Sequence, residues 1–311
     1  MRIGIVGAGL AGSSAGTRLV EAGAVVSLYD KGRGTGGRMA TRRTETPLGE
    51  AHFDHGAQYF TARDPSFRQQ VEGWKRDGLA APWPAAGEDA WVGVPGMSAP
   101  VKDLTSRLDV TCATRIEALR RDPAGWHLVG ESGVAGPFDA VVVAVPAEQA
   151  GTLVRPWQPH FADHAAATPA EPCWTVMATF SARLTIDADV VKHRGPIGWA
   201  ARNSAKPGRT GPESWVVQAE PDWSRQRLED EPASVLPPLI EALAAVAARP
   251  LPEIAFASAH RWRYARSGTL GRDTLYDADL KLGLCGDWLI GPRIECAWLS
   301  GRWLAEAILA G

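Results

Sequence analysis

Residues 2–30 read RIGIVGAGLAGSSAGTRLVEAGAVVSLYD, and this stretch decides the fold. The apolar run at residues 2–6 predicts a strand. Small and apolar residues recur at helical spacing over residues 10–22, and residues 24–29 predict a second strand that ends at Asp30. The first strand and the helix are joined by a G-x-G-x-x-G turn whose glycines are Gly7, Gly9 and Gly12. This order predicts a Rossmann-like βαβ unit that binds a dinucleotide.

Each part of this unit has a role in binding a dinucleotide. The first glycine permits the tight turn, the second lets the backbone approach a pyrophosphate, and the third allows the helix to pack closely on the strand. The helix start at Leu10 and Ala11 offers free N–H groups to the phosphates. Asp30 is placed to accept both hydroxyls of an adenosine ribose and would repel a 2′-phosphate. The unit therefore favours FAD or NAD over NADP as the tightly bound nucleotide.

A second glycine-rich element follows at residues 31–43, KGRGTGGRMATRR. Its two adjacent glycines, Gly36 and Gly37, allow the chain to pass close to a bound diphosphate. Arg38 can then make a forked, charge-assisted contact with that diphosphate. A simple nicotinamide dehydrogenase has no need for such an element, so Lys31, Gly37 and Arg38 are predicted to contact FAD.

The acidic strand end followed by Gly-Gly-Arg resembles the FAD-containing amine oxidase superfamily. This resemblance implies a role for residues 281–301, where a predicted strand leads to Asp287 and then to a helix. The carboxylate would accept a hydroxyl of the ribityl chain. The helix start would direct N–H groups at the flavin pyrimidine and stabilise the anion of reduced flavin. The implied contacts at that helix start are Ile294, Glu295 and Ala297.

Residues 53–61, 260–264, 285–288 and 291–295 resemble the renalase branch of this superfamily, particularly its bacterial members. The branch implies non-covalent FAD and the oxidation of 2- or 6-dihydronicotinamide nucleotides to NAD(P)+, with O2 reduced to H2O2. Losing a hydride makes the nicotinamide ring aromatic, so no general base is required. Many relatives have glycine at the position of Cys296, and a thioether to the flavin from Cys285 or Cys296 stays an open alternative.

A nicotinamide nucleotide needs flat walls and cations, and two stretches supply both. Residues 199–209 include Trp199, Arg202, Asn203, Ser204, Lys206 and Arg209, and residues 260–264 include His260, Arg261, Trp262, Arg263 and Tyr264. Gln58 and Tyr59 are expected beside the isoalloxazine. The predicted substrate pocket is Gln58, Tyr59, Trp199, Arg202, Asn203, His260, Trp262 and Tyr264.

The predicted fold is α/β: a Rossmann-like FAD-binding domain with a second α+β substrate domain built on an antiparallel sheet. The FAD-binding domain is expected to be discontinuous and to comprise residues 1–62, 96–150 and 280–311. The substrate domain is expected at residues 63–95 and 151–279. Within these domains the sequence predicts a hairpin over residues 114–129, strands at 139–146, 175–180 and 214–219, and a helix at 234–248.

Composition excludes several other classes of protein. The 311 residues carry 33 Lys+Arg against 35 Asp+Glu, a net charge of −2, so no basic footprint for nucleic acid is present. The four cysteines lie far apart without a C-x-x-C pair, which argues against a zinc site and a disulfide framework. No apolar run is long enough to span a membrane. A cytoplasmic location is the expectation, with a small molecule and O2 as partners, no metal, and an oligomeric state that the sequence leaves open.

Two alternatives stay open at this point. The first is an amine oxidase, because relatives of that kind often place a lysine near the flavin together with an aromatic cage. The chain offers Lys192 and Lys206 but only four tyrosines. The second alternative is a flavin-binding or nucleotide-binding sensor without turnover.

Overall fold

The computed structural model describes residues 1–131, 133–247 and 249–311. Its strands are, in chain order, β1 (Arg2–Val6), β2 (Val25–Tyr29), β3 (Thr41–Thr46), β4 (Gly49–Asp54), β5 (Ala80–Pro82), β6 (Trp91–Gly93), β7 (Asp109–Thr111), β8 (Ile116–Asp122), β9 (Gly125–Gly130), β10 (Gly133–Phe138), β11 (Ala140–Val143), β12 (Glu171–Phe180), β13 (Val190–Arg194), β14 (Ile197–Arg202), β15 (Glu213–Ala219), β16 (Ile254–Arg266), β17 (Leu275–Asp277) and β18 (Leu282–Leu284). Its α-helices are α1 (Leu10–Glu21), α2 (Pro65–Arg76), α3 (Ala99–Thr105), α4 (Ala147–Val154), α5 (Pro159–Ala166), α6 (Pro221–Gln226), α7 (Pro232–Ala247), α8 (Asp287–Ile290) and α9 (Ile294–Ala310).

A six-stranded sheet with the order β17-β18-β11-β1-β2-β7 contains the predicted βαβ unit. Strand β1 lies inside this sheet and pairs in parallel with both β2 and β11. Ile3 and Ile5 of β1 are fully buried, as expected of a parallel strand covered on both faces. The carboxyl end of β1 leads directly into the glycine turn, which lies at the edge of the sheet where such folds bind nucleotides.

The two ends of the chain meet in this sheet. Strand β18 pairs in parallel with β11, and α9 packs along α1. A Cβ atom on Gly301 would lie 2.2 Å from the carbonyl oxygen of Ala11, so only glycine permits this close helix approach. The hydroxyl of Ser14 also donates a hydrogen bond to the carbonyl of Trp298, at 2.8 Å. The C-terminal segment is therefore part of the dinucleotide-binding unit.

A five-stranded antiparallel sheet with the order β13-β14-β15-β12-β16 forms the second part of the molecule. One face of it buries Trp174, Val217 and neighbouring apolar residues against Leu239 and Leu243 of α7. On the opposite face, Met177 and other apolar residues pack against strand β4. This second face is directed toward the dinucleotide-binding unit, and the predicted α/β fold class is confirmed.

Local predictions agree with most of these elements. The predicted strands at residues 175–180 and 214–219 fall within β12 and β15, and the predicted hairpin is β8 paired with β9. The predicted helix at residues 234–248 corresponds to α7, although Ala248 lies outside the described residues. None of the helices in the described part of the chain has both the length and the apolar character needed to cross a bilayer.

Residues 63–95, which the sequence assigns to the substrate domain, include α2, and this helix lies against the C-terminal helix α9. The rings of Phe67 and Trp298 are 5.4 Å apart, and Val71 and Trp74 are buried in the same cluster as Ile3. The three buried side chains of α2 recur at helical spacing and therefore form one apolar face of the helix. This face packs against the dinucleotide-binding unit.

Candidate active site

The glycine turn combines two structural glycines with one that leaves space for a ligand. Gly7 has a φ of +106°, and a Cβ on Gly12 would lie 2.0 Å from the carbonyl oxygen of Gly7. Gly9 has an ordinary φ of −77°, and the nearest atom to a Cβ there is the Cα of Gly37, at 4.0 Å. The two glycine-rich elements thus approach each other closely at Gly9 and Gly37, and the space around a Cβ on Gly9 is otherwise open.

Asp30 organises this turn from the end of β2. One carboxylate oxygen accepts a hydrogen bond from the backbone N–H of Ala8, and the other accepts one from Gly32, both at 2.7 Å. Each oxygen keeps a lone pair, because a carboxylate offers about four acceptor positions. The aspartate can therefore hold the turn and still accept ribose hydroxyls. Lys31, the next predicted contact, is exposed.

Arg38 and Asp287 contact each other directly. The guanidinium donates two hydrogen bonds to the carboxylate, with Nη2 2.6 Å from Oδ1 and Nη1 2.9 Å from Oδ2. The sequence predicts Arg38 on the diphosphate and Asp287 on the ribityl chain, and the structure adds a direct contact between the two side chains. The fork of the arginine matches the two carboxylate oxygens, so the pair links the Gly-Gly-Arg turn to the start of α8.

No side chain of the N-cap residue binds the backbone N–H groups at the start of α9. Its N-cap residue, Arg293, makes no side-chain cap, so the N–H groups of Ile294 and the following turn are available to a ligand. Glu295 is buried. One of its oxygens accepts from the backbone N–H groups of Arg63 and Asp64, both at 2.6 Å. The side chain of Glu295 therefore anchors the helix to the start of α2, which leaves its backbone N–H for the predicted contact with FAD.

These features fit FAD. The uncapped N-terminus of α1 and the otherwise open space beside Gly9 suit a diphosphate, and Asp30 suits a ribose. The uncapped start of α9 suits the electron-rich pyrimidine end of a flavin. FAD would supply reversible acceptance of a hydride, while the protein holds and orients it.

The face of the antiparallel sheet that is directed toward the dinucleotide-binding unit carries one continuous row of paired residues. Lys192 pairs with Trp199, and Trp199 pairs with Gln218. Gln218 in turn pairs with Thr175, and Thr175 pairs with His260. Directly paired residues of antiparallel strands point to the same side of a sheet. The row therefore crosses all five strands and presents a cation, an indole, an amide, a hydroxyl and an imidazole to one side.

Residues 55–59 of the dinucleotide-binding unit lie against this row. The ring of Tyr59 stacks on Trp199, with ring centroids 5.3 Å apart. The ring of His55 lies 5.0 Å from that of His260 and 5.1 Å from that of Trp262. The indole N–H of Trp262 donates to the carbonyl of His55 at 2.8 Å. Tyr59 thus contacts Trp199, and His55 contacts both His260 and Trp262, so these predicted pocket residues lie along the junction.

Both histidines of this junction are neutral at pH 7. Burial, followed by the nearby His260 and Arg42, lowers the pKa of His55 to about 4. Burial and the charge of Arg42 also lower the pKa of His260. Neither group therefore has a proton to donate as a general acid at neutral pH.

A buried cluster of charged side chains, Asp54, Lys206 and Arg209, packs against residues 55–59. Asp54 is fully buried and accepts hydrogen bonds from Lys206 and Arg209, with the Lys206 bond at 3.2 Å. Although burial alone would raise it, the pKa of Asp54 lies well below its usual range because both cations stabilise the carboxylate. Burial is also the main reason that the pKa of Lys206 falls to about 8. Lys206 Nζ donates to the amide oxygen of Gln58 as well, at 3.2 Å.

Three predicted pocket residues have other partners. Arg202 lies on the opposite face of β14 from Trp199, because residues three apart on a strand point to opposite sides, and its guanidinium binds Asp189 and Glu213. The amide of Asn203 is buried and bonds the backbone of residues 52 and 54. Gln58 is buried and donates to the carbonyls of residues 54 and 56. We conclude that these three shape the junction without presenting free groups to it, whereas Tyr264 is only half-buried.

Sequence reasoning missed Asp54, Thr175 and Gln218. Gln218 could have been recognised as the polar position in the apolar strand SWVVQA, since it alternates with the buried Val217 and Ala219. The partnership of Asp54 with residues 206 and 209 had no signal in the sequence, because these residues are about 150 positions apart and meet only in the fold.

The fold and the site define a two-part dinucleotide-binding oxidoreductase. Two family models match the chain: an NAD(P)-binding Rossmann-like domain over residues 5–72 and a flavin-containing amine oxidoreductase over residues 85–236. The protein is an FAD-dependent oxidoreductase, and its residues 85–236 are similar to the flavin-containing amine oxidoreductases.

Solved structures share this fold over nearly the whole chain. A cyclohexylamine oxidase from Brevibacterium oxydans IH-35A is 14% identical, with a TM-score of 0.71 and coverage of 99% of this chain and 98% of that one. A candidate protoporphyrinogen oxidase from Exiguobacterium sp. 255-15 is 15% identical, with a TM-score of 0.69 and coverage of 100% and 99%. An oxidoreductase from Methanosarcina mazei is 10% identical, with a TM-score of 0.63 and coverage of 98% and 100%. At these identities the likeness concerns the fold alone.

Proposed function

We propose that this protein oxidises 2- or 6-dihydronicotinamide nucleotides to NAD(P)+. With FAD as the hydride acceptor and O2 as the final oxidant, one dihydronicotinamide, one O2 and one proton give one NAD(P)+ and one H2O2. The row from Lys192 to His260 is the observation that carries this proposal. Trp199 of the row forms a flat aromatic surface together with Tyr59, and Lys192 supplies a cation at one end of the row.

The cation at the end of the row suits the phosphate of a nucleotide. Lys192 is exposed, and its Nζ lies 4.9 Å from the centroid of the Trp199 ring. A planar ring placed along the indole would therefore have a positive charge beside it. The neutral His55 and His260 complete a junction that needs no general base, because hydride loss alone makes the nicotinamide ring aromatic.

Amine oxidation is a second candidate, and Lys206 is the observation that favours it. This buried lysine contacts Gln58, a residue expected beside the flavin, and relatives that oxidise amines often have a lysine there. The net charge of the buried cluster around Asp54 argues against amine oxidation. Asp54 contributes −1 while Lys206 and Arg209 each contribute +1, which leaves a net +1 that would disfavour a protonated amine.

Anaerobic reduction of the bound flavin tests the proposal. We expect rapid bleaching by 6-dihydro-NAD or 6-dihydro-NADP and none by cyclohexylamine. Lys192→Met should raise KM for the dihydronicotinamide mononucleotide about tenfold while leaving KM for the corresponding riboside, which lacks phosphate, within about twofold. Lys102→Met is the matched control, because Lys102 is an exposed lysine on α3. Bleaching by amines alone would support amine oxidation, and bleaching by neither would support a sensor.

A further inference from the structure

Gln218 occupies the middle of the row, between Trp199 and Thr175. Its side chain crosses from the antiparallel sheet to the dinucleotide-binding unit, where Nε2 donates a hydrogen bond to the carbonyl oxygen of Gly56 at 2.7 Å. Thr175 is fully buried beside it, whereas Gln218 itself is partly exposed. The NH2 group of the Gln218 amide is thus held by Gly56, while its oxygen remains available to a ligand.

The contact with Gly56 also determines which atom of the Gln218 amide is available to a ligand. A carbonyl oxygen can only accept, so the NH2 group of Gln218 must face Gly56 and Oε1 must point away from it. Oε1 accepts no hydrogen bond from any side chain or backbone group in the described ranges 1–131, 133–247 and 249–311. The amide of Gln218 therefore offers an acceptor of known orientation.

The other amides of the junction differ from Gln218 in this respect. The amide oxygen of Gln58 accepts from Lys206 Nζ, and the amide oxygen of Asn203 accepts from the N–H of Asp54 at 3.3 Å. Both of these side chains are buried. Among these three amides, Gln218 is the one with an unoccupied acceptor on the row.

We propose that Gln218 is a specificity-determining residue that recognises the carboxamide of the nicotinamide ring. Its Oε1 accepts a hydrogen bond from the carboxamide NH2 while the ring lies along Trp199. This inference rests on the proposed function and names the feature of the substrate that the row selects. A 3-carboxylate would place a negative charge against Oε1, and a 3-acetyl group would leave Oε1 without a donor.

Substrate analogues test this inference on the holoenzyme. We compare kcat/KM for 6-dihydronicotinamide mononucleotide with kcat/KM for its 3-acetyl analogue, which lacks the NH2 group. The wild-type protein should prefer the carboxamide by about 3- to 10-fold, the value of one hydrogen bond. In Gln218→Met the preference should fall to about one. Calorimetry should give the same ratio for the two oxidised mononucleotides, a readout independent of turnover.

The ratio separates recognition from structure. If Gln218 only held Gly56 in place, Gln218→Met would lower kcat/KM equally for both substrates. The preference for the carboxamide would then persist, and this result would overturn the inference. Gln226→Met, at an exposed glutamine at the end of α6, is the matched control and should keep the wild-type preference. Wild-type protein that oxidises neither analogue nor the parent dihydronicotinamides would instead refute the proposed function itself.

Discussion

Arg38 and Asp287 are 249 positions apart in sequence, yet they form an ion pair with two hydrogen bonds. The arginine follows the Gly-Gly turn near the N-terminus, and the aspartate begins α8 close to the C-terminus. The pair lies between the two segments that contact FAD in this account. We therefore propose that it couples FAD binding at one end of the chain to FAD binding at the other.

A double-mutant cycle should reveal this link. Arg38→Met leaves the largely buried carboxylate of Asp287 without its cation, and Asp287→Asn leaves the arginine without its anion. Each single change should lower FAD affinity, and the double variant should lose less than the sum, with a coupling of about 0.5–3 kcal/mol. Flavin fluorescence titration of the apoprotein measures these affinities. Strict additivity would show that the two residues act independently.

Two glycines of the same turn should respond differently to one added methyl group. Gly9→Ala meets no clash and no backbone strain, so thermal stability of the apoprotein should stay within about 0.5–1 kcal/mol of wild type. FAD affinity should nevertheless fall at least tenfold, because the methyl group would occupy the open space in which a diphosphate approaches the backbone of Gly9.

Gly12→Ala should instead destabilise the apoprotein, since its Cβ would lie 2.0 Å from a backbone oxygen. Denaturant unfolding of both apoproteins, with FAD titration alongside, makes the comparison. Normal FAD binding by Gly9→Ala would contradict the position assigned to the diphosphate.

Asp54→Asn and Lys206→Met remove opposite charges from one buried cluster. The first change leaves two buried cations without a carboxylate and should cost about 3–5 kcal/mol. The second leaves Asp54 paired with Arg209 and should cost no more than about 2 kcal/mol. Urea unfolding of the two variants measures both values. Equal losses would show that charge balance does not stabilise this cluster.

The lowered pKa of Lys206 predicts a rise in stability at alkaline pH. The folded protein releases the lysine proton near pH 8, whereas the unfolded chain keeps it to about 10.5. Between these values the unfolded state binds more protons, so the free energy of unfolding increases with pH. Relative to Lys206→Met, which lacks this proton, the wild type should gain on the order of 1–3 kcal/mol from pH 8 to pH 10. A stability difference that is constant over this range would contradict the pKa.

The first βαβ unit was predictable because its signals are local. Glycine spacing, helical periodicity and a terminal aspartate all lie within residues 2–30. The row across the antiparallel sheet was not predictable, since it depends on strand register, which no single strand encodes. The assignment of Arg202 to the pocket shows the consequence. Its distance of three residues from Trp199 suggested proximity, but the alternation of side chains along a strand places it in the opposite core.

The binding of FAD tests most directly whether both ends of the chain form one cofactor site. The measurement is the flavin absorbance spectrum of the purified protein together with its ratio of FAD to polypeptide, repeated after removal and readdition of FAD. The account predicts a yellow protein with one FAD per chain that recovers this ratio on reconstitution. A colourless protein that takes up no FAD would contradict it.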